Sequence, residues 1–164
     1  MLKVLTYPDP ALKQIAEPVS HFDDELAAFV ESLEETLDSG PPSVGIAAPQ
    51  VGHSKRIVIV DAAGRKKIKH HGRLILINPE IVEWEGSVIG REGCLSVPDY
   101  TGNVLRAENI TIEASDLTGT GKTYEMEGYE ARVAQHELDH LNGLLFLDRL
   151  VSRRNDLFKR KIYK

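Results

Sequence analysis

The segment from residue 129 to residue 141 constrains the fold of this chain most strongly. It places His136 and His140 four positions apart, with Glu137 between them, in a run whose apolar residues recur at helical spacing. On a helix the two imidazoles share one face and point at one site, while Glu137 lies about 100° further round. Apolar residues flank the pattern at Val133, Ala134, Leu138 and Leu141. The segment is therefore predicted to be a mostly buried helix, on which a metal ion would satisfy polar groups that burial removes from water.

Two histidines need at least one further protein ligand to hold a metal. No His, Glu or Cys follows His140, and Phe146 occupies the position where the extended three-histidine motif has its last ligand. Asp148 and Asp156 remain downstream candidates, although nothing in their surroundings marks them. Upstream lies Cys94, whose thiolate would complete a Cys-His-His set with one position open for water. A lone cysteine is more often a small buried apolar residue, but the neighbouring helix favours its interpretation as a ligand.

The remaining patterns predict an α+β fold in one domain, residues 1–164. Asp23 or Asp24 can cap a helix that ends near Gly40, and apolar residues three and four positions apart form one face of it. Short runs rich in β-branched residues predict strands at residues 57–60, 74–77, 109–114 and 123–126. Because strands are grouped between helices without βαβ alternation, we expect small antiparallel sheets packed around a central, mostly buried metal-binding helix, flanked by an N-terminal and a C-terminal helix.

Composition and charge exclude several classes of protein. The chain is 41% hydrophobic and 27% charged, as expected of a globular domain rather than a disordered one. Its net charge of −5 does not favour binding to DNA, and no apolar run approaches the ~20 residues of a membrane span. A single cysteine excludes an internal disulfide, which together with the lack of a signal sequence predicts a cytoplasmic protein.

Three motifs, in this order along the chain, resemble those of the peptide deformylase family. They are SVGIAAPQ at residues 43–50, EGCLS at residues 92–96 and QHELDH at residues 135–140. The N-terminal segments at residues 7–10 and 16–19 are also similar to that family. The likeness extends from about residue 2 to about residue 150, nearly the whole chain.

The resemblance implies a metal-dependent hydrolase that removes the formyl group from the N-terminal formyl-methionine of newly synthesised polypeptides. It implies that Cys94, His136 and His140 hold the metal, while Glu137 takes a proton from water and passes it to the departing amine. Ligand types alone favour zinc, whereas the family typically uses ferrous iron. We therefore expect one divalent metal per chain, Fe²⁺ in the cell, with Zn²⁺, Ni²⁺ or Co²⁺ as alternatives.

Further residues receive roles from the same resemblance. The side chain of Gln50 and the backbone N–H of Leu95 are implied as donors to the oxyanion. Glu92 and Arg106 match positions that pair in the family and would support the Cys94 loop. Substrate-binding positions are implied at Val44, Gly45, Leu95 and Val133.

One position departs from the family pattern, because Ser43 stands where the first motif usually begins with glycine. A glycine permits close backbone approach or a positive φ. The substitution therefore affects the expected geometry of the substrate groove and leaves the metal ligands unchanged.

Two other functions are consistent with parts of the sequence. A metalloendopeptidase could use the same helix, but the missing downstream ligand argues against it. A non-catalytic protein with a structural zinc would need a closed site of four ligands, and the chain has no second cysteine to close it.

The C-terminal segment, residues 148–164, is predicted to be a basic helix, with seven basic residues against two acidic ones. Because the family's substrate emerges from the ribosome, this helix is a candidate for contact with ribosomal RNA. The alternative is a solvated basic face that balances acidic surface nearby.

Overall fold

Two α-helices and two antiparallel sheets make up the fold in the computed structural model, which describes residues 2–160. The helices are α1 (Asp24–Ser39) and α2 (Gly128–Leu141). The strands are β1 (Gly45–Ala47), β2 (Ile57–Asp61), β3 (Arg73–Glu85), β4 (Val88–Cys94), β5 (Val97–Arg106), β6 (Asn109–Ser115), β7 (Gly121–Glu127) and β8 (Leu157–Lys159). Short 3-10 helices span Pro10–Lys13, Ala48–Val51 and Phe146–Arg149.

The larger sheet has the strand order β1-β2-β3-β6-β7 and is covered on both faces. Side chains of β2 alternate between these faces. Val58 and Val60 join the apolar cluster of α2, whereas Ile57 joins the cluster of α1. Burial on both faces explains why β2 is a continuous apolar run in the sequence.

Helix α1 begins where the sequence predicts. Oδ1 of Asp23 accepts a hydrogen bond of 3.0 Å from the N–H of Leu26 and caps the first turn. The buried face consists of Leu26, Val30, Leu33, Thr36 and Leu37. The four predicted strands are confirmed within β2, β3, β6 and β7.

The smaller sheet, in the order β4-β5-β8, consists of three strands that the sequence did not predict. Strand β4 carries Gly90, Glu92 and Gly93, and β5 carries Pro98 and Gly102, so both lack the β-branched run that marks a strand. The turn at residues 95–96 joins them directly after Cys94.

The predicted C-terminal helix, residues 148–164, is wrong throughout the described part of that range. One 3-10 turn is followed by irregular chain and then by β8, which pairs with residues 100–102 of β5. Asn103 explains this course, because its backbone and side-chain N–H groups donate to Asp156 at 2.9 Å each. The tail thus finds partners on the edge of β5 instead of within a helix. Residues 161–164 lie outside the described residues.

Helix α2 is mostly buried, as predicted. Eleven of its fourteen residues are buried, and its apolar side chains pack on the larger sheet. Two of its polar side chains, Arg132 and His136, contact Glu92 of the smaller sheet. Within residues 2–160 neither helix is long and apolar enough to span a membrane.

Candidate metal centre

Three donor side chains converge where the end of β4 meets α2. Cys94 is the last residue of β4, and His136 and His140 are one helical turn apart on α2. Their ligand atoms all lie within 4.8 Å of one another, and Sγ of Cys94 is 3.4 Å from Nε2 of His140. All three residues are buried. The downstream alternatives, Asp148 and Asp156, do not belong to this cluster.

The donor set fits a small divalent cation. Tetrahedral bonds of about 2.3 Å to sulfur and about 2.0 Å to nitrogen separate two ligand atoms by about 3.5 Å, close to the distance between Cys94 and His140. Burial, reinforced by His136 and Arg106, lowers the pKa of His140 well below its usual value, so its imidazole is neutral. Burial acts in the same direction on His136, but contacts with Cys94 and Glu92 outweigh it and raise the pKa. Metal ligands must be deprotonated, so binding of a cation would release any proton that these three side chains hold.

Glu137 lies beside the donor set and is itself buried. Its Oε1 has no hydrogen-bond partner within residues 2–160, so a buried carboxylate oxygen is left for a ligand or water. A Cβ built on Gly45 would lie 2.6 Å from Oε2 of Glu137, so β1 passes directly against this carboxylate. Burial, with a smaller contribution from Glu92, raises the pKa of Glu137 from 4.5 to about 7, against the opposing charge of His136.

Gln50 reaches the same site from the 3-10 helix Ala48–Val51. Its Oε1 accepts a hydrogen bond of 2.9 Å from the N–H of Ala47, which fixes the orientation of the amide. Its Nε2 donates to Oγ of Ser96 at 3.0 Å and to Sγ of Cys94 at 3.5 Å. Leu95 follows Cys94 directly in the turn between β4 and β5. Both predicted oxyanion donors therefore lie next to the thiol.

Glu92 and Arg106 form a buried bidentate pair. Nε and Nη2 of Arg106 donate to the two oxygens of Glu92 at 2.9 and 2.8 Å. Glu92 Oε1 also lies 2.9 Å from Nδ1 of His136. Burial by itself raises the pKa of Glu92, but the hydrogen bonds from Arg106 and His136 outweigh it and hold the pKa well below its usual range. An ionised carboxylate thus orients one imidazole of the donor set.

Two of the predicted substrate residues, Val44 and Val133, pack in the apolar cluster of α2. Val133 is buried on α2, and Val44 is half-buried against the same apolar cluster. Ser43 has a negative φ and donates a hydrogen bond of 3.1 Å from Oγ to the carbonyl of Gly45. This backbone position therefore does not require glycine.

Sequence reasoning missed three polar residues around the site. Ser96 holds Gln50, Asp139 pairs with both Arg106 and Arg149, and Arg132 donates to Glu92. Asp139 and Arg132 lie on the predicted buried helix, where any charged residue needs a partner, and that rule could have drawn attention to them.

A buried thiol and two imidazoles in an α+β fold, with a buried glutamate beside them, are typical of a metal-dependent hydrolase. Comparison with known proteins identifies which family of metal-dependent hydrolases the chain resembles. A family model for polypeptide deformylase matches residues 1–156. The peptide deformylase of Acidobacterium capsulatum is 42% identical over 163 residues, covering 98% of this chain and 93% of that protein.

Two solved structures are similar in fold. The peptide deformylase of Thermotoga maritima has a TM-score of 0.86 at 38% identity, covering 93% of this chain and 99% of that one. A Met-Ala-Ser-bound class I type b peptide deformylase from Acinetobacter baumannii has a TM-score of 0.85 at 38% identity, covering 92% of this chain and 98% of that one. The chain therefore belongs to the peptide deformylase family. It is a metalloenzyme of protein biosynthesis that removes the N-formyl group from nascent polypeptides.

Proposed function

We propose that deformylation takes place at the cluster of Cys94, His136 and His140, with Glu137 as the group that moves the proton. The observation that carries this proposal is the position of Glu137. Its buried Oε1 lacks a partner within the described residues and lies beside three donor atoms that are within 4.8 Å of one another. In this proposal α2 is the central metal-binding helix, and residues 1–164 form a single catalytic domain.

One divalent metal per chain would be held by Sγ of Cys94 and one imidazole nitrogen each of His136 and His140. When bound, the metal supplies Lewis-acid chemistry, since it lowers the pKa of water towards ~7 and polarises the formyl carbonyl. We propose Fe²⁺ as the metal used in the cell, on the resemblance to the family. Zn²⁺, Ni²⁺ and Co²⁺ are compatible with the same ligands.

Glu137 takes a proton from the attacking water and returns it to the amide nitrogen as the carbon–nitrogen bond breaks. The products are formate and a polypeptide with a free methionine amine. Because burial raises the pKa of Glu137 to about 7, its carboxylate can both accept and return a proton near neutral pH.

Gln50 and Leu95 stabilise the negative charge that develops on the formyl oxygen. Gln50 is suited to this role because Ala47 and Ser96 hold its amide in place, with Nε2 directed at the cluster. The backbone N–H of Leu95 is the second donor. Each donor of this kind contributes about 2.7–4 kcal/mol to transition-state stabilisation.

The substrate's methionine side chain would occupy an apolar pocket beside the cluster. A formyl group is smaller than any other acyl group, so close approach of the backbone at Gly45 favours formyl over acetyl substrates. The proposed pocket residues are Val44, Gly45, Leu95 and Val133. Arg106 holds the carboxylate of Glu92, and Glu92 in turn orients the imidazole of His136.

The described tail retains exposed basic residues although it is not helical. Arg153, Arg154 and Lys159 are exposed, and we propose that they contact ribosomal RNA where substrates emerge. Because its substrates are nascent polypeptides, the enzyme is proposed to act in the cytoplasm. Replacing all three residues with Gln should flatten the salt dependence of co-sedimentation with ribosomes, by about 0.7–0.9 in log–log slope for each phosphate that the variant no longer neutralises. An unchanged slope would contradict the interaction with RNA.

The activity is tested with protein purified anaerobically and analysed for metal in the same preparation. Hydrolysis of a formyl-Met tripeptide is expected, with release of formate. The matched acetyl-Met and unblocked peptides should remain intact. Cleavage within the unblocked peptide would instead support an endopeptidase. If the Cys94→Ala variant loses activity but keeps its metal, Cys94 is not a metal ligand.

A further inference from the structure

Arg132 is a buried arginine of α2 that has no role in the proposed mechanism. Its side chain donates three hydrogen bonds to groups outside the helix. Nη1 donates to Oε2 of Glu92 at 2.6 Å and to the carbonyl of Val104 at 3.0 Å, while Nη2 donates to the carbonyl of Val88 at 2.7 Å. The planar fork of a guanidinium can satisfy such a divergent set of acceptors, whereas an ammonium group cannot.

The position of Arg132 joins the two elements that carry the donor residues. Arg132, His136 and His140 follow one another at intervals of four and therefore share one face of α2. On β4, Glu92 and Cys94 are both buried and both contact α2, Glu92 through His136 and Cys94 through His140. The contacts of Arg132 with Glu92, Val88 and Val104 tie this helix face to the β4–β5 hairpin.

Arg132 also completes the set of donors around Glu92. Oε2 of Glu92 accepts from Nε of Arg106 and from Arg132, while Oε1 accepts from Nη2 of Arg106 and contacts Nδ1 of His136. A carboxylate has about four acceptor sites, and these four contacts occupy them. Since the carboxylate is held on all sides, Nδ1 of His136 has a fixed acceptor and Nε2 is left to bind the cation.

Gly90 provides the room that this arrangement requires. A Cβ built on Gly90 would lie 2.8 Å from Cζ and 2.9 Å from Nε of Arg132. Any larger residue at position 90 would therefore displace the guanidinium, although it removes no charge and no hydrogen-bonding group.

We infer that Arg132 is a positioning residue for the metal centre, which clamps the Glu92 carboxylate and through it fixes the direction from which His136 binds the cation. The inference rests on the proposed function, because it takes His136 to be a metal ligand. It predicts that disturbing Arg132 changes the coordination geometry and the rate of metal release, even though Arg132 does not touch the metal.

The experiment uses the full chain loaded with Co²⁺, whose visible spectrum reports coordination geometry. Arg132→Gln removes the charge and the fork, Arg132→Lys keeps the charge alone, and Gly90→Ala displaces the guanidinium by adding one methyl group. Arg149→Met is the matched control, because this arginine belongs to the same ion-pair network but contacts Asp139 instead of Glu92. The spectrum, the rate of Co²⁺ release to a chelator, kcat and KM are measured for each protein.

Arg132→Gln and Gly90→Ala are expected to shift the Co²⁺ absorption bands and to release Co²⁺ 10- to 100-fold faster, the usual effect of losing a residue that orients a metal ligand. Their kcat should fall while KM stays within about twofold, since the residues that bind substrate are not altered. Arg132→Lys should be intermediate, and Arg149→Met should match the wild type.

Wild-type spectra and release rates in Arg132→Gln or Gly90→Ala would overturn the inference, even if those variants melt at lower temperature. If Arg132→Gln does not fold, Gly90→Ala and Arg132→Lys decide the question by the same measurements. A wild-type protein that binds Co²⁺ but does not deformylate would refute the proposed function alone, because spectra and release still test Arg132. Deformylation by the wild type with unshifted variants would refute only the role of Arg132.

Discussion

His136 on α2 and Glu92 on β4 are joined by a contact of 2.9 Å between Nδ1 and Oε1. This contact connects the helix that carries two of the donor residues to the strand that carries the third. Arg106 binds the same carboxylate through two further hydrogen bonds, so a buried charge is matched by its partners. Changes at residue 92 are therefore expected to affect both stability and metal binding.

Glu92→Gln should remove an acid-sensitive part of the free energy of unfolding of the metal-free protein. Burial raises the pKa of Glu92, but Arg106 and His136 more than offset this and hold the folded-state pKa well below 4.5. Such a group contributes stability that is present above the unfolded-state pKa and is lost as pH falls towards the folded-state pKa. At neutral pH the variant should be less stable by about 3–5 kcal/mol, because buried cationic partners lose their counter-charge.

Urea unfolding of both proteins over a series of pH values measures this difference. The free energies should converge as pH falls below about 4.5, where the wild type begins to lose the contribution of Glu92. Glu83→Gln, at an exposed position of β3, is the control and should follow the wild type. A gap between wild type and Glu92→Gln that stays constant with pH would contradict the assigned pKa shift.

Local patterns predicted the elements whose stability is encoded locally. Helix α1 has its cap at Asp23 and an uninterrupted apolar face, and β2 is a continuous β-branched run. Strands β4 and β5 were not predicted, because glycines and buried charges replace the apolar signal there. The tail gave a false helical signal, since Leu150, Leu157 and Phe158 have helical spacing while tertiary pairing with β5 decides their structure.

In the site, too, residues close together in the sequence were predicted from their spacing, whereas contacts between distant segments were not. His136, Glu137 and His140 lie within five residues of one helix, so their spacing alone indicated a shared function. Cys94 was inferred because two histidines need a further protein ligand, and the family resemblance then implied the same role. Arg132 and Glu92 are 40 residues apart, and their contact depends on how β4 crosses the helix, which no local pattern in the sequence contains.

Glu137→Gln is expected to keep the metal and lose a factor of about 10²–10⁴ in kcat, the range for removal of a general acid–base group. The amide has nearly the same shape as the carboxylate but cannot accept the proton from water. Metal content and turnover should be measured on one preparation. Loss of metal together with activity would make Glu137 a ligand, and near-normal turnover would exclude it from catalysis.

Gly45→Ala should reduce activity while leaving the metal in place. The added Cβ would lie 2.6 Å from Oε2 of Glu137 and 2.9 Å from the carbonyl of Ile59, so the carboxylate must move. A displacement of about 1 Å at a reacting group can cost about 10²-fold in rate. Ser43→Ala is the control, because it removes only the hydrogen bond to the carbonyl of Gly45 and should retain most activity. An equal loss of activity in both variants would show that the effect arises from the backbone around β1 as a whole and not from displacement of Glu137.

Glu130→Ala should loosen the basic loop between β2 and β3, residues 62–72. Glu130 is buried at the start of α2, and its carboxylate accepts a hydrogen bond of 2.7 Å from the backbone N–H of His71 and contacts Nδ1 of His71 at 2.6 Å. Hydrogen bonds to a charged group contribute about 1.5–3 kcal/mol each, so their loss should raise the population of an open loop at least about tenfold.

The loop contains four trypsin sites, at Arg65, Lys66, Lys67 and Lys69. Limited trypsin digestion with mass spectrometry of the fragments should therefore show faster cleavage at residues 65–69. Glu127→Ala is the control, because its partner Lys69 is exposed and the pair contributes little. Cleavage at the wild-type rate in Glu130→Ala, or equal acceleration in the control, would show that the contact with His71 does not hold the loop.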